Sequence, residues 1–290
     1  MRDYVITTDS TADLSLDYIK ENNVHYLGLN FTVDEKVYSF EDNYDIKLFY
    51  DKMREGMKAT TMQANMLETK VFFENFAKKG LDVLHIAFSS ALSGSCATEQ
   101  MMANEVMEEY PDIRIIIVDS LAASGGQGLV VAKAVEKKAK GFTLEENIEF
   151  LNALIPRVVH YFTVEDMVYL YRGGRVSKGK AMLANAINIK PILNCNMEGK
   201  LVPIEKARGR KKSLKIISDM IAKNMGDNFR EENLYITVYH ADSMEDAMLL
   251  GEEIKNTYGI DDIRYELIGP TIGAHCGPGS VGIFYIGNER

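Results

Sequence analysis

The alternation of short apolar runs with helical patterns is the feature that most limits how the first half of this chain can fold. Residues 4–8, 83–88 and 113–118 have the length and the β-branched content of buried strands. Helical patterns separate these runs. Alternation of this kind predicts an α/β fold with a mainly parallel, doubly wound sheet, in which ligands bind at the carboxyl ends of the strands.

Capping residues mark two of the intervening helices. Asn65 followed by Glu68 predicts a helix start, and Thr143 with Glu146 forms a capping box for a helix that ends near Pro156. The first of these helices is predicted to present one apolar face, made of Leu67, Val71, Phe72 and Phe76.

The second half places its strand candidates closer together. They are residues 158–163, 189–195, 200–205, 234–240 and 263–268, and the helical patterns among them cover 213–225 and 243–258. This spacing predicts a mixed-sheet α/β domain. We therefore expect two α/β domains, residues 1–157 and 158–290, with no long polar linker and with a ligand bound between them.

Composition and charge exclude several classes of protein. The chain has 290 residues, of which 46% are hydrophobic and 26% charged, as in ordinary folded proteins. A net charge of -9 disfavours a protein that coats nucleic acid. No apolar run approaches the roughly 18 residues of a membrane span. We expect neither an export signal nor stable membrane insertion, which leaves room for transient contact with a membrane surface.

The cysteines give no sign of a disulfide framework or a zinc site. Cys96, Cys195 and Cys276 lie far apart and form no CxxC or Cys/His cluster. A reducing cytoplasm fits this usage best.

A serine-rich stretch at residues 89–95 is the first candidate for ligand binding. It follows a predicted strand and opens a predicted helix, so its backbone N–H groups are free to meet a carboxylate or phosphate. The alternative is that Ser93 only caps the helix.

Two other stretches could carry polar contacts. Residues 60–65, which include Thr61, precede a helix and by themselves favour a capped turn over a site. Residues 269–279 contain four glycines and two of the six prolines of the chain, with His275 in the middle. Such density indicates unusual backbone conformations or close backbone approach, and it makes His275 a better candidate for a polar contact than an isolated histidine.

Ten of the 33 basic residues lie in two short windows that contain no acid. The first holds Arg172, Arg175, Lys178 and Lys180, and the second holds Lys206, Arg208, Arg210, Lys211, Lys212 and Lys215. Arginines beside glycines suggest contact with phosphate or carboxylate, whereas a solvated face is the plain alternative.

Familiar catalytic motifs do not occur in the sequence. The phosphate-loop pattern GxxxxGK[ST] and the nucleophile pattern GxSxG are both missing, which favours a ligand pocket over a catalyst. Asp9, Asp13 and Asp119 follow predicted strands and could hold a metal, but aspartates there more often cap turns. We expect no metal.

Taken in order along the chain, these segments resemble the DegV family of bacterial fatty-acid-binding proteins, which serve a fatty acid kinase. The resemblance covers nearly the whole chain. Its motifs are DSTADL at 9–14, TMQ at 61–63, LSGS at 92–95, DS at 119–120, YLYRGGR at 169–175, KPIL at 190–193 and IGPTIGAHCGPG at 268–279.

The resemblance implies a carrier rather than an enzyme. A long-chain fatty acid would lie in a buried tunnel with its carboxyl group hydrogen-bonded by Thr61 and Ser93 and with His275 nearby. The implied fatty-acid-binding set also includes Gly94, Gly273 and Ala274. Arg175 and Arg208, together with Arg172, match positions associated with the kinase and with acyl phosphate formation, a step of phospholipid metabolism. No cofactor is implied.

The sequence departs from the usual family pattern at three positions. Met62 stands where serine is common, Ala64 where proline is common and Cys276 where threonine is frequent. These changes bear on chain-length preference and on hydrogen bonds around the carboxyl group. Two alternatives to the carrier are an acyl hydrolase or acyltransferase, with Ser93 as nucleophile and His275 as base, and a sugar-phosphate-binding protein.

Overall fold

The computed structural model describes residues 3–42, 44–177 and 188–290. Elements are numbered here in chain order. The first sheet is parallel throughout and has the strand order β2-β1-β6-β7. Its strands are β1 (Tyr4–Asp9), β2 (His25–Leu27), β6 (Asp82–Ala87) and β7 (Ile115–Asp119). The parallel sheet predicted for the N-terminal part is confirmed.

Helices cover both faces of this sheet. On one face, α3 (Met66–Ala77) and α4 (Ser95–Glu109) bury Phe73 and Met102 against Val5 and Val83. On the other face, α5 (Gly125–Ala139) and α6 (Leu144–Leu154) pack against the alternate strand residues, including Ile6. Strand residues therefore alternate between two apolar layers, as a doubly wound sheet requires.

The start of α3 is as predicted, and its apolar face is as predicted only in part, because Phe76 is buried and Phe72 packs against the core but Leu67 and Val71 do not. Asn65 Oδ1 accepts the backbone N–H groups of Leu67 and Glu68. Leu67 and Val71 were expected in the core, yet they are 72% and 48% exposed. The helix instead buries Thr69, Phe73, Phe76 and Ala77. Burying the ring of Phe73 beneath α4 fixes the rotation of the helix, because the larger aromatic residue gains more than Val71 would.

A small antiparallel sheet was not predicted. It consists of β3 (Phe31–Val33), β4 (Lys36–Tyr38) and β5 (Thr60–Thr61). Thr61 therefore lies in a short strand, opposite Phe31, and not in a capped turn. Two further helices of this region are α1 (Leu16–Glu21) and α2 (Ile46–Arg54).

The second sheet is mixed, which confirms the expectation for the C-terminal part. Its order is β10-β9-β8-β13-β11-β12, with only β11 and β12 parallel. The strands are β8 (Val158–Thr163), β9 (Ile189–Cys195), β10 (Leu201–Arg208), β11 (Ile236–His240), β12 (Ile263–Leu267) and β13 (Val281–Ile286). The described helices are α7 (Val168–Arg172), α8 (Arg210–Asn224), α9 (Phe229–Glu232), α10 (Met244–Tyr258) and α11 (Pro270–Cys276).

Close backbone approach joins the two sheets through α5. A Cβ on Gly125 would lie 2.2 Å from the ring of Tyr239, and a Cβ on Gly126 would lie 2.0 Å from His160 Nε2. Only glycine lets this helix approach the second sheet so closely. The first sheet ends before residue 120 and the second begins at Val158, while the division into two domains at residue 157 stays a prediction.

Arg290 also connects distant segments. Its guanidinium donates hydrogen bonds to the carbonyl oxygens of Val158 and Ile155, at 2.8 and 2.9 Å, and to that of Leu121. Within the described part of the chain, no helix combines the length and the apolar character that crossing a membrane demands.

Candidate functional site

A cavity of about 300 Å³ lies between the two sheets. Both halves of the chain contribute to its walls, which are mostly apolar. The apolar lining includes Leu29, Phe88, Leu92, Phe162, Leu170, Leu201, Ile268, Ile272, Val281 and Phe284. A group of polar side chains also faces the cavity: Thr61, Gln63, Ser93, Arg175 and His275. A concave, mostly apolar space with a few convergent polar groups is typical of a small-molecule site.

Thr61 and His275 are brought together from residues 214 positions apart in the sequence. Thr61 Oγ1 and His275 Nε2 are 2.8 Å apart. The other ring nitrogen, Nδ1, is buried and has no hydrogen-bond partner among the described residues. Burial and the charge of Arg175 lower the pKa of His275 to about 4. His275 is therefore neutral at physiological pH.

The stretch that holds His275 is helical, whereas the sequence suggested a turn. Pro270 occupies the start of α11, where its missing N–H costs nothing. His275 lies in the last turn, and Gly277 ends the helix with a φ of 77°. Gly273 faces Tyr50, whose hydroxyl would be 2.4 Å from an added Cβ. Gly273 lines neither the cavity nor the cleft described below.

Ser93 lies at the start of α4 and faces the cavity. Its Oγ accepts the backbone N–H of Ser95 at 3.2 Å and lies 3.0 Å from Ser95 Oγ. Ser93 therefore lines the cavity and stabilises the turn before α4. The prediction that it caps the helix is wrong, because the N-cap residue is Gly94 and the helix has no side-chain cap hydrogen bond. A Cβ on Gly94 would lie 2.3 Å from Gln63 Oε1, so Gly94 and the Gln63 side chain are in close contact.

A second space of about 390 Å³, which we call the outer cleft, adjoins the same polar group. Thr61, Arg175 and His275 line both the cavity and this outer cleft. The outer cleft also contains Lys58 and Arg172, and none of the described residues that line it is acidic. Ala274 lines the outer cleft but not the cavity. The outer cleft is therefore electropositive in a chain whose net charge is -9.

Arg175 has a structural contact as well. Its Nε donates to the carbonyl oxygen of Leu92 at 3.1 Å, and Nη1 donates to that of Gly173. The guanidinium thus ties the segment after α7 to the loop that carries Ser93.

The second basic cluster does not line either space. Arg208 is exposed at the end of β10, near the exposed side chains of Lys206, Lys211 and Lys212. Arg210 pairs with Asp246 at 2.9 Å, and Lys215 pairs with Asp219 and Glu253. Arg208 therefore lines neither of the spaces that Arg175 lines. Lys178 and Lys180, of the first cluster, lie outside the described residues.

The aspartates after the strands hold turns. Asp9 accepts hydrogen bonds from the backbone N–H groups of Thr11 and Phe88 and from Gln127. Asp119 accepts from the N–H groups of Ser90 and Leu121 in the same way. Both contacts fit the capping role that the sequence favoured.

Asp13 has a role that sequence reasoning missed. Its carboxylate accepts from Ser124 Oγ at 2.6 Å and from the backbone N–H of Gly269 at 2.9 Å, directly before α11. Burial raises the pKa of Asp13 to about 7. Asp13 therefore links α5 to the helix that carries His275, and no local signal in the sequence indicates this pairing of residues 256 positions apart.

A buried pair beneath α4 was also not predicted. His85 Nε2 lies 3.4 Å from Glu99 Oε2, and Thr7 Oγ1 lies 2.8 Å from His85 Nδ1. Asp9 offers a third possible ligand atom within 4.8 Å of these groups. Both carboxylate oxygens of Asp9 already accept hydrogen bonds from main-chain N–H groups, from Gln127 and from the Thr11 hydroxyl. They are therefore poor ligands for an ion.

Comparison with known proteins decides the family. A sequence-family model described as "Uncharacterised protein, DegV family" matches residues 3–288. The chain belongs to the DegV family. A DegV domain-containing protein of Clostridium perfringens is 39% identical, with 100% of this chain and 99% of the relative aligned.

Solved DegV structures share the fold over their full length. One is described as DegV, a fatty acid binding protein from Bacillus subtilis; it is 28% identical, covers 99% of this chain and 100% of its own, and has a TM-score of 0.84. Another is described as "Fatty Acid Binding of a DegV family Protein from Thermus thermophilus". It is 26% identical, covers 99% of this chain and 100% of its own, and has a TM-score of 0.86.

The three departures from the usual DegV pattern have different surroundings. Met62 lines the cavity and is 43% exposed, and Cys276 lines it from a buried position. Burial raises the pKa of the Cys276 thiol to about 12. Ala64 is buried and donates its backbone N–H to Ser95 Oγ at 3.1 Å, a bond that proline cannot make. The main chain at Ala64 is therefore bonded to the start of α4, next to Ser93.

Proposed function

We propose that this DegV protein binds one long-chain fatty acid in the cavity and presents its carboxyl group to a fatty acid kinase in the cytoplasm. The observation that carries the proposal is an apolar cavity next to Thr61, Ser93 and His275. The relatives from Bacillus subtilis and Thermus thermophilus, described as binding fatty acids, support it.

The energetics favour an acyl chain as the ligand. Each buried methylene contributes about 0.8 kcal/mol, so a sixteen-carbon tail supplies roughly 10 kcal/mol before the costs of association. The carboxyl group then needs satisfied hydrogen bonds more than strong attraction. Thr61 and Ser93 offer hydroxyl donors for this purpose, and the Arg175 guanidinium lies on the same wall.

The site is better suited to binding than to hydrolysis. Ser93 Oγ is hydrogen-bonded to Ser95, while His275 Nε2 is hydrogen-bonded to Thr61. A nucleophile and its base would contact each other. A histidine whose pKa is about 4 is also a weak general base at neutral pH. These contacts favour a carrier that acts with a separate kinase and uses no cofactor.

The outer cleft fits the kinase-dependent step. Arg172 and Arg175 line it beside the proposed carboxyl position, where phosphate oxygens of an acyl phosphate would need cations. Arg208 is exposed at the end of β10 and suits a contact with an acidic face of the kinase.

Titration of delipidated protein with palmitate and oleate tests the binding step. We expect saturable binding, one acid per chain by native mass spectrometry, and a raised melting temperature. Thr61→Ala and Ser93→Ala should each weaken binding by about 1–3 kcal/mol without unfolding the protein. Failure to bind any C14 to C18 acid would refute the proposal, and unchanged affinity in the double variant would place the carboxyl group elsewhere.

Kinase assays with ATP test the second step. Arg172→Ala and Arg208→Ala should keep fatty acid affinity and lower acyl phosphate formation. Arg175→Ala should lower both, because its guanidinium also supports the Ser93 loop through Leu92. Wild-type turnover in an Arg172→Ala/Arg208→Ala variant would contradict these roles.

A further inference from the structure

A groove of about 220 Å³ shares a lining residue with the cavity. We call it the α1 groove, because α1 forms one wall and α5 and strands β11 and β12 form the others. Its lining is mixed: Leu14, Leu129 and Ala132 are apolar, while Asp17, Glu21, Arg264 and Glu266 are charged. Among the described residues, Phe284 alone lines both the α1 groove and the cavity.

The ring of Phe284 is positioned by its neighbours to act as a partition. It makes edge-to-face contacts with His160 and with Tyr239, each with ring centroids 5.3 Å apart. On the α5 side, a Cβ on Gly125 would lie 2.5 Å from the ring. His160 belongs to the cavity and Tyr239 to the α1 groove, so the ring stands between the two spaces.

Different residues connect the cavity to its two neighbouring spaces. The outer cleft shares Thr61, Arg175 and His275 with the cavity, and Phe284 does not line that cleft. The α1 groove shares Phe284 with the cavity and contains none of those three polar residues. An acyl chain held by its carboxyl group at Thr61 and His275 and extending away from the outer cleft would therefore direct its methyl end toward Phe284.

We infer that Phe284 sets the upper length of the acyl chain that this protein binds. Replacing its ring by a small side chain would join the cavity to the α1 groove, where Leu14 and Leu129 offer apolar contacts for further methylenes. This inference rests on the proposed function, because it assumes that the cavity holds an acyl chain.

The test is competition among saturated acids of 14 to 22 carbons for delipidated protein, read by native mass spectrometry. In Phe284→Ala, affinity for the C20 acid relative to C16 should rise at least tenfold over wild type, because each methylene that finds apolar surroundings is worth about fourfold in Kd. Phe162→Ala is the matched control, since Phe162 lines the cavity but not the α1 groove.

Each outcome decides the matter. An unchanged length profile in Phe284→Ala, with wild type binding C16, would overturn the inference and leave the proposed function intact. An equal shift in Phe162→Ala would overturn it too, because general loosening would then explain the result. If wild type binds none of the acids, both proposals fail.

Two further variants protect the test against misfolding and against unspecific effects. Phe284→Leu removes the ring and keeps apolar bulk, so it should show a smaller shift in the same direction. Adding Leu129→Phe to Phe284→Ala fills the α1 groove and should abolish the gain for C20. Persistence of the gain in that double variant would overturn the inference.

Discussion

At the scale of single residues, Gly173 determines where the imidazole of His275 can lie. A Cβ on Gly173 would be 2.1 Å from His275 Nδ1. The φ of Gly173 is -71°, which any residue adopts, so steric contact alone requires glycine. Gly173→Ala should push His275 away from Thr61 and weaken fatty acid affinity about tenfold. Isothermal titration with palmitate measures this effect.

Gly174 is the natural control for that variant. Its φ is +76°, and an added Cβ would meet nothing within 4 Å. Gly174→Ala should therefore lower the free energy of unfolding by about 1–2 kcal/mol and leave the affinity unchanged. The prediction about Gly173 is contradicted when the two variants lose affinity equally.

Asp13 predicts a pH dependence of stability. Burial raises its pKa from 3.8 to about 7, so between these values the folded state binds more protons than the unfolded state. The free energy of unfolding should then fall as pH rises from 4 to 7, with a slope of up to about 1.4 kcal/mol per pH unit from this group. Asp13→Asn lacks this contribution.

Urea denaturation of wild type and Asp13→Asn at pH 5, 6, 7 and 8 provides the measurement. Wild type should lose stability relative to the variant up to about pH 7, with little further change at pH 8. Parallel profiles across the whole range would show that Asp13 keeps an ordinary pKa.

At the scale of secondary structure, α3 shows how tertiary packing selects one face of a helix. Phe73→Ala should lower the free energy of unfolding by about 3–5 kcal/mol, because its ring is fully buried. Leu67→Ala and Val71→Ala should change it by about 0.5 kcal/mol or less, since both side chains are exposed. Chemical denaturation of the three variants tests which face of α3 is buried. A larger loss of unfolding free energy for Leu67→Ala than for Phe73→Ala would contradict the burial of the Phe73 face.

The elements with strong local signals could be predicted from the sequence. The Thr143 and Glu146 capping box forms as expected, with both reciprocal hydrogen bonds, and β8 runs from Val158 to Thr163 as the apolar run indicates. The short strand at Thr61 escaped prediction because two residues carry no periodicity, and its partner Phe31 is far away in the sequence.

Only some residues of the candidate site could be predicted from the sequence. Loop composition pointed to Ser93 and His275, which both face the cavity. Their neighbours could not be predicted, because Asp13, Lys58 and Phe284 reach the site only through the tertiary fold. The family resemblance paired Arg208 with Arg175, and the fold places Arg175 in the wall of the cavity while Arg208 lines neither the cavity nor the outer cleft.

At the scale of the whole molecule, Arg290 fastens the second sheet to segments of the first half. Arg290→Ala should lower the free energy of unfolding by about 1–3 kcal/mol, because buried carbonyl oxygens of Ile155 and Leu121 lose a charged donor. Differential scanning calorimetry and urea denaturation measure the loss.

Arg264→Ala is the control for Arg290→Ala. Its side chain is half exposed and pairs with Asp262 at 2.7 Å, so Arg264→Ala should cost about 1 kcal/mol or less. Equal losses in the two variants would mean that Arg290 contributes no more than a surface ion pair.

The wall shared by the cavity and the outer cleft has a kinetic consequence. Thr61, Arg175 and His275 face both spaces, so a reagent in the cleft can meet the carboxyl group while the alkyl chain stays enclosed. Under the proposed function, the substrate of the kinase is then the complex of protein and fatty acid, and not the free fatty acid. The kinase should obey saturation kinetics in the concentration of loaded protein, and free fatty acid above stoichiometry should leave its rate unchanged.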